Sequence, residues 1–316
     1  MKLRNVRILE QDEIKTLISM GDAILAMREA FPAISSGLAV APLRINLPMD
    51  DVEANSLIMP VYVPGEPFYM VKTVSLNRRN PILGLPYIHS VIQVFDAKTG
   101  ALAAILDGEY ITGLRTGAGS ALATSLLTNE SSSVMAVFGT GPQAWFQVMG
   151  VLAVRPIEQV LVFSRNHDRR QAFIERIQDT FGIEAVEASM SQLKSAQIIC
   201  TATPSLSPLF ELHDCADEVH INAVGSYKPD MIEIPDKIVR DCFVVVDSRH
   251  AALAEAGDFA AAVRDGLFDD KASCIELGEL LNLKLTPESK WSLFKSVGNA
   301  VQDFYCVKKL WPLIRR

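Results

Sequence analysis

A buried strand followed by a glycine loop constrains the fold of this chain more than any other feature. The segment reads VMAVFGTGPQAWFQVMG, from Val134 to Gly150. Its apolar run predicts a buried strand, and the residues after the loop predict a helix. A strand, a GxGxxA turn and a helix in this order are typical of the first unit of a dinucleotide-binding fold.

Each small residue of the loop has its own role in such a fold. Gly139 allows the tight turn, and Gly141 lets a diphosphate approach the backbone without meeting a side chain. Ala144 lets the helix pack closely against the strand. The first N–H groups of the helix and its dipole would face the phosphates. A dinucleotide loop is therefore predicted, and a tight turn without a ligand is the weaker alternative.

The chain after residue 133 alternates between strand and helix patterns. The strand candidates are Val134–Phe138, Gln159–Phe163, Gln197–Thr201, Val219–Ala223 and Phe243–Asp247. The helix candidates are residues 142–153, 167–181 and 248–256. This alternation builds a parallel sheet with crossover helices, so we expect a doubly wound α/β domain.

The two ends of the chain show other patterns. Residues 11–36 have helical spacing, with Asp22 as a candidate N-cap between two short helices. Short strand patterns follow between residues 43 and 106, and a helix is expected from about residue 116 to Asn129. The segment WSLFKSVGNAVQDFYCVKKLW, residues 291–311, has the spacing of an amphipathic helix that would pack on the N-terminal domain.

The end of the second strand of the α/β domain bears on the ribose of a dinucleotide. An acid here binds the 2′-hydroxyl of NAD, whereas Arg accommodates the 2′-phosphate of NADP. The chain has Ser164, Arg165 and Asn166 at this point and no acid, with Arg169 one turn beyond. NADP(H) is therefore the preferred cofactor and NAD(H) stays open, since a solvated Arg at a helix start is also common.

Two later strand ends carry small polar residues. They are Thr201-Ala202-Thr203 and Val224-Gly225-Ser226. Ligands of open α/β sheets bind at the carboxyl ends of strands, so these loops are expected to hold the nicotinamide half. Ordinary connecting loops are the alternative.

Three basic residues stand in apolar surroundings in the N-terminal region. They are Arg44 in PLRINLP, Lys72 in YMVKTVS and Arg115 in YITGLRTGAGS. Arg supplies bidentate geometry and Lys a point charge, so together they suit a carboxylate ligand. For each one alone, a side chain that points to solvent is an equal alternative.

Charge and cysteine content exclude several classes of protein. The formal charge is −7 with scattered Lys and Arg, which argues against nucleic-acid and membrane-surface partners. The five cysteines are widely spaced without a CxxC pair, and the N-terminus lacks the apolar core of a signal peptide. We expect a cytoplasmic protein. His213 and His220 lack metal-ligand spacing, so no metal is expected.

Four motifs in order make the chain similar to a known family. DGEYITGLRTGAGSALAT (107–124), FGTGPQA, VGSYKPDMIEIP (224–235) and FKSVGNAVQD (294–303) resemble the ornithine cyclodeaminase/mu-crystallin family, and in particular its ketimine reductases. The resemblance implies a homodimer. It also implies a Rossmann domain, residues 116–292, inserted in a mixed α+β domain for substrate binding and dimerisation, residues 1–115 plus 293–316.

The resemblance also assigns residues to the site. Arg44, Lys72 and Arg115 match the basic residues that bind the substrate carboxylate, and His89 lies in a region that lines the substrate pocket, although a structural histidine is the stronger alternative. Together with the loops above, the cofactor residues are Thr116, Gly139, Thr140, Gly141, Pro142, Gln143, Ala144, Ser164, Arg165, Asn166, Thr201, Ala202, Thr203, Val224, Gly225, Ser226, Ser296 and Val297.

One departure from the family pattern separates its activities. Cyclodeaminases carry a Gly-Gly-Asp-x-Pro stretch whose Asp serves amine and water chemistry, whereas this chain has Tyr227 at that point. A cyclic ketimine needs less proton transfer, because its protonated form is already an electrophile. Asp230 is the first candidate for the acid, with a helix N-cap as its alternative role. Lys72 is the other candidate proton donor.

The sequence therefore predicts an NAD(P)H-dependent reductase of cyclic ketimines, acting on Δ1-pyrroline-2-carboxylate or Δ1-piperideine-2-carboxylate. Ornithine cyclodeaminase is the first alternative. Alanine or N-alkyl amino-acid dehydrogenase is the second, and a crystallin-like NADPH-binding protein with low turnover is the third.

Overall fold

The chain divides into two compact units, one formed by Met1–Arg115 with Asn299–Arg316 and the other by Thr116–Gly298. The computed structural model describes residues 6–264, 266, 268, 274–283 and 289–314. In sequence the second unit is inserted between the two segments of the first.

The first unit is built on a six-stranded sheet. Its strands are β1 (Arg7–Leu9), β2 (Ile45–Met49), β3 (Ala54–Tyr62), β4 (Phe68–Asn77), β5 (Ile88–Asp96) and β6 (Leu102–Asp107). They lie in the order β1-β6-β5-β4-β3-β2. Strand β1 is parallel to β6 and all other neighbours are antiparallel. The sequence patterns missed β1, because three residues are too few to show a period.

Helices α1 (Gln11–Leu17), α2 (Met20–Ser35) and α10 (Ala300–Ile314) belong to this unit, with the first turns of α3 (Gly108–Leu127). The prediction that Asp22 is an N-cap is wrong. Ser19 caps α2, and Asp22 completes a capping box by accepting from the Ser19 N–H at 3.0 Å. Helix α3 begins at Gly108, earlier than the pattern at 116 indicated, because Asp107 accepts the N–H groups of its first turn.

Helix α10 packs on the inner face of the sheet. Phe68 of β4 stacks on Phe304 at 4.4 Å and on Trp311 at 4.7 Å between ring centroids. Side chains alternate across a strand, so Met70 and Lys72 point to the same face as Phe68, and all three are buried. The sequence places a lysine in the interior of this unit.

The second unit is an eight-stranded sheet in which every neighbouring pair is parallel. Its strands are β7 (Val134–Phe138), β8 (Gln159–Phe163), β9 (Glu184–Glu187), β10 (Ile198–Thr201), β11 (Val219–Ala223), β12 (Phe243–Val246), β13 (Cys274–Glu276) and β14 (Trp291–Lys295). The order is β13-β12-β14-β11-β10-β7-β8-β9. Strands β8 and β9 lie on one side of β7 and β10 lies on the other, so the strand order reverses between β7 and β10. Ligands of open α/β sheets bind at such a switch point.

Crossover helices flank this sheet. They are α4 (Pro142–Leu152), α5 (His167–Phe181), α6 (Asp236–Asp241), α7 (Arg249–Glu255), α8 (Gly257–Arg264) and α9 (Leu277–Leu283). The Rossmann-type α/β fold is confirmed.

The prediction of one helix over residues 291–311 is wrong. Residues 291–295 form β14, between β11 and β12, and the helix begins at Ala300. Gly298, with φ 85°, lies between the two elements. The boundary expected between residues 292 and 293 falls inside β14, and the structure divides the units after Gly298. A short apolar run fits a buried strand and a helix equally well, so periodicity could not separate them.

Candidate active site: a dinucleotide cleft and a buried cation cluster

The second unit has a cleft at the carboxyl ends of its central strands. Its volume is about 860 Å³, and its lining includes the glycine loop, the end of β8 and the loop after β10. Small-molecule sites span roughly 300–1,000 Å³, so the cleft has the size for a cofactor.

The glycine loop has the backbone that a diphosphate requires. Gly139 has φ 105°, and a Cβ there would lie 2.6 Å from the carbonyl oxygen of Ala202. Gly141 is the residue before α4, and a Cβ there would meet nothing within 4 Å. Pro142 follows at the first helical position, and Ala144 is fully buried. The loop is therefore open toward the cleft and closed toward the protein, and it fits the diphosphate of a dinucleotide.

The ribose end of the cleft is lined by Ser164, Arg165, Asn166 and Arg169. Asn166 caps α5 by accepting from the Arg169 N–H at 2.9 Å. Sequence reasoning missed Arg170, which also lines the cleft. Arg170 donates to the Ser164 carbonyl oxygen and forms an ion pair with Glu187. The negative charge of Glu187 is therefore compensated by Arg170.

The loops after β10 and β11 are tied together by Glu233, a buried residue that sequence reasoning missed. Its carboxylate accepts from the Thr201 hydroxyl at 2.8 Å, from the Thr203 N–H at 2.7 Å and from the Gly225 N–H at 2.8 Å. The Ser226 hydroxyl donates to the Met231 carbonyl oxygen. Thr201 and Ser226 thus shape the cleft wall, whereas Ala202 and Thr203 line it.

A buried ion pair between Asp258 and Lys295 contacts the backbone at Glu233. The N–H groups of Glu233 and Ile234 donate to Asp258, whose other oxygen lies 2.8 Å from Lys295 Nζ. Asp258 and Lys295 are completely buried. Burial raises the pKa of Glu233, and the nearby Lys295 opposes that rise. The geometry nevertheless favours ionised Glu233, because its contacts are all donors.

Asp247 holds the predicted cofactor residues Ser296 and Val297. Its carboxylate accepts from the Ser296 hydroxyl at 2.8 Å and from the Val297 N–H at 3.0 Å. Both residues are buried, and so is the predicted cofactor residue Thr116. Asp247 follows β12 directly, and its position at a strand end is the signal that could have identified it.

The first unit brings together two of the three basic residues around one carboxylate. Lys72 Nζ lies 2.7 Å from Asp303 Oδ1, and Arg115 Nε lies 3.5 Å from the same oxygen. Arg115 Nη1 also donates to Gln302 Oε1 at 2.7 Å. Arg44 is half-buried, and its charge acts on Lys72. Lys72, Arg115 and Asp303 are called the cation cluster below.

The pKa of Lys72 is lowered to about 8 from an ordinary value of 10.5. Burial is the largest cause, and the positive charges of Arg115 and Arg44 act in the same direction. Asp303 opposes them. A lysine with this pKa exchanges its proton near neutral pH, as an acid catalyst must.

His89 lies on the opposite face of the sheet from Lys72. Lys72 pairs with Ile92 and Ser75 with His89, so parity along β4 and β5 separates the two side chains. The His89 ring is half exposed and lies 3.2 Å from Glu109. The His89 side chain therefore lies away from Lys72, and its contact with Glu109 fits the structural alternative, while its role in lining the substrate pocket stays a prediction.

Asp230 is exposed in a turn closed by a hydrogen bond from the Met231 N–H to the Lys228 carbonyl oxygen. Its alternative role as a helix N-cap is wrong, because Pro235 precedes the next helix, α6. Tyr227 is partly buried against the core of the second unit.

The two histidines considered for metal binding are in different environments. His213 is exposed beside Asp214, at 3.6 Å. His220 is buried, and its ring nitrogens lie 2.8 Å from Ser292 Oγ and 3.1 Å from Asn222 Oδ1. Burial lowers the pKa of His220 to about 4. Within the described residues, no group of three or more His, Cys, Asp or Glu side chains is placed to hold a metal ion.

The parallel sheet and its glycine loop define a dinucleotide-binding protein of the Rossmann class, with a buried cation cluster in a separate unit. The model of the ornithine cyclodeaminase/mu-crystallin family matches residues 4–312. The chain belongs to this family, as the four motifs indicated.

Similar proteins are close in length to this chain. A Delta(1)-pyrroline-2-carboxylate reductase of Bacillus cereus is 34% identical over 310 residues, which are 96% of this chain and 95% of that protein. The structure of Thermococcus litoralis Delta(1)-pyrroline-2-carboxylate reductase with NADH and L-proline has a TM-score of 0.91 and 32% identity, and 97% of each chain is covered. An archaeal alanine dehydrogenase dimer with bound NAD has a TM-score of 0.89 and 28% identity, covering 97% of this chain and 95% of that one.

Among the helices that the structure describes, none has the length and apolar character needed to cross a membrane.

Proposed function

We propose that this protein is a nicotinamide-dependent reductase of small cyclic ketimines. The substrates would be Δ1-pyrroline-2-carboxylate and Δ1-piperideine-2-carboxylate, and the products L-proline and L-pipecolate. The cation cluster carries the proposal. It holds Lys72 and Arg115 against a single carboxylate, and Arg44 adds a third positive charge. Lys72 and Arg115 share the one carboxylate of Asp303, and the net positive charge of these three groups suits one substrate carboxylate.

Two buried atoms of the cluster support a ligand at this place. Arg115 Nε and Asp303 Oδ2 have no hydrogen-bond partner in the part of the chain that the structure describes. Buried polar groups without partners are costly and rare in native proteins. A substrate carboxylate would satisfy Arg115 Nε, and the N–H that the ring nitrogen gains in the reaction would satisfy Asp303 Oδ2.

The chain's residues then divide the chemistry between them. A bound reduced nicotinamide supplies a hydride to the carbon of the C=N bond. Arg44 and Arg115 bind the substrate carboxylate and orient the ring. Lys72 Nζ donates the proton that the ring nitrogen needs, so the C=N bond becomes CH–NH. Lys72 then regains a proton from water. Its pKa of about 8 suits this exchange, whereas exposed Asp230 is the alternative donor.

The loop after β11 argues against ornithine cyclodeamination. That reaction deprotonates an amine, adds a second amine and expels ammonia, so it needs a positioned base. The family's Asp is replaced by Tyr227, whose ring packs against the core. We keep cyclodeaminase, amino-acid dehydrogenase and low-turnover NADPH binding as outcomes of the assay.

We propose NADP(H) as the preferred cofactor. The exposed Arg165 and Arg169 line the ribose end of the cleft, and Glu187 is paired with Arg170. Two guanidinium groups suit a 2′-phosphate, whereas a free acid would exclude it.

We propose a homodimer formed through the outer face of the first unit's sheet. Ile45, Leu47 and Tyr62 of this face are more than a third exposed, at 56%, 51% and 37%. Ile58 and Val71 lie between them and are only partly buried. A contiguous apolar face of this kind is typical of protein interfaces.

We propose a cytoplasmic location, because the cysteines are free thiols. All five cysteines are free, and four of them are buried. Burial raises the pKa of Cys200 and Cys242 to about 12, so these thiols stay protonated and unreactive.

The test is a pair of assays on the full-length protein. In one, NADPH and Δ1-pyrroline-2-carboxylate are mixed with the enzyme and the loss of NADPH absorbance is followed. In the other, ornithine and NAD are supplied and ammonia is measured. NADPH oxidation without ammonia supports the reductase. Ammonia from ornithine would establish the cyclodeaminase. NADPH oxidation that requires added ammonia or amine as a co-substrate would establish a dehydrogenase. Tight NADPH binding without any turnover would establish a binding protein.

A further inference from the structure

We propose that Asp303 is a positioning residue that holds Lys72 in its protonated form through the neutral pH range. The inference rests on the proposed role of Lys72 as the proton donor to a ketimine. It assigns a function to the first turn of α10, a segment far from Lys72 in sequence.

The geometry is that of a buried ion pair, with Lys72 on β4 and Asp303 on α10. Lys72 Nζ and Asp303 Oδ1 are 2.7 Å apart, and their side chains are 1% and 0% exposed. At this depth a pair is little screened by water or salt. Asp303 is therefore the main source of negative charge for a lysine that burial pushes toward the neutral form.

The other described groups around Lys72 either favour its neutral form or carry no charge. Arg115 of α3 and Arg44, just before β2, are positive and favour neutral Lys72. Its cross-strand neighbours, Met59 on β3 and Ile92 on β5, are apolar. Cys306, one turn beyond Asp303 on α10, is a buried thiol whose pKa is raised, so it is neutral. Among the described groups that act on Lys72, Asp303 is thus the one that favours the ammonium form.

The start of α10 positions the Asp303 carboxylate. Asp303 lies in the first turn of the helix, where the positive end of the dipole favours a carboxylate. The preceding residue, Gln302, accepts from Arg115 at 2.7 Å and from the Asn299 N–H at 3.2 Å. Consecutive residues of one helical turn therefore hold both buried cations of the cluster.

The experiment replaces the charge and keeps the shape. In Asp303→Asn the amide fills the same space without its charge, so the pKa of Lys72 should fall further. Loss of an opposite charge at this distance is worth about 1–3 pH units. We expect the alkaline limb of kcat/KM for Δ1-pyrroline-2-carboxylate to move to lower pH by at least about one unit. Asp303→Glu should restore part of the shift. Ionisation of the substrate is the same for all variants, so a difference between them in the position of the alkaline limb comes from the protein.

Glu66→Gln is the control. Glu66 pairs with Lys308 of α10 at 2.7 Å, and neither residue belongs to the cation cluster. The variant removes a carboxylate that pairs with a lysine of the same helix, yet it should leave the alkaline limb where it is. An unmoved limb in Asp303→Asn, or an equal movement in Glu66→Gln, would overturn the inference.

A second readout does not depend on turnover. Heteronuclear NMR of isotope-labelled lysine ammonium groups gives the Lys72 titration directly, with Lys72→Arg to assign its signal. The midpoint should fall by at least about one unit in Asp303→Asn. If the wild-type protein reduces no ketimine, the proposed function fails, and this titration still decides the role of Asp303. An unchanged midpoint would refute that role.

Discussion

At the residue scale, a buried lysine in each unit is compensated by a carboxylate from another part of the chain. Lys72 and Asp303 are 231 positions apart, and Lys295 and Asp258 are 37 apart. Buried pairs of this kind are weak evidence for stability, because desolvation offsets much of the attraction. The presence of one such pair in each unit fits a role in placing neighbouring groups.

Ser164 tests the ribose site. In Ser164→Asp a carboxylate would face the 2′-phosphate of NADP, and would accept from the 2′-hydroxyl of NAD. We expect the ratio of kcat/KM for NADPH to that for NADH to fall by at least about tenfold, which corresponds to about 1.4 kcal/mol. Ser191→Asp adds the same charge at an exposed position that does not line the cleft, and should leave the ratio unchanged. An unchanged ratio in Ser164→Asp would refute the phosphate site.

His220 predicts how stability changes in acid. Its pKa is about 4 in the folded protein against 6.5 in the unfolded chain, so the unfolded chain binds more protons between these values. Stability is therefore lost as the pH falls from 6.5 toward 4, by about 1.4 kcal/mol for each pH unit.

Urea unfolding at pH about 7 and about 5 would measure this effect. In His220→Asn the difference between the two conditions should be smaller than in the wild type, although the variant is less stable at both. His213→Asn, at an exposed position, should keep the wild-type difference. An equal difference in His220→Asn would show that other groups govern the acid response.

At the element scale, the outer face of the first sheet tests the dimer. Ile58 lies between Ile45 and Thr73 on this face. Burying an unpaired carboxylate in an interface costs several kcal/mol, so Ile58→Glu should give a monomer by light scattering. Leu25, which is 56% exposed on α2, is the control, and Leu25→Glu should stay dimeric. A dimeric Ile58→Glu would place the interface elsewhere.

The elements show what the sequence could and could not predict. The glycine loop and the β/α alternation were visible, because each depends on residues close in the chain. Residues 291–295 were misassigned, since a run that is buried from Ser292 to Lys295 has no period that distinguishes a strand from a helix. The face on which His89 lies could not be predicted either, because it depends on the register of β5 against β4.

At the scale of the whole molecule, chain order was predictable and the long-range pairs were not. The four motifs identified the family, which the match over residues 4–312 confirms. Glu233, Asp258 and Asp303 were missed, because a carboxylate in a helical or loop pattern normally faces solvent. Their burial depends on partners that only the folded units bring to them. The roles of the site residues stay predictions.

The chain order also explains why the C-terminal segment matters. Residues 299–314 belong with the N-terminal segment in one unit and supply both Gln302 and Asp303 to the cation cluster. A basic cluster proposed from residues 44, 72 and 115 alone would lack its compensating charge.

The central claim is hydride delivery to the carbon of a cyclic C=N bond. The most direct test is the reaction of Δ1-pyrroline-2-carboxylate with NADPH deuterated at the transferable position, followed by mass spectrometry and NMR of the product. The account predicts proline carrying one deuterium at Cα and no released ammonia. Proline without deuterium at Cα, or no reaction with this imine while ornithine yields ammonia, would contradict it.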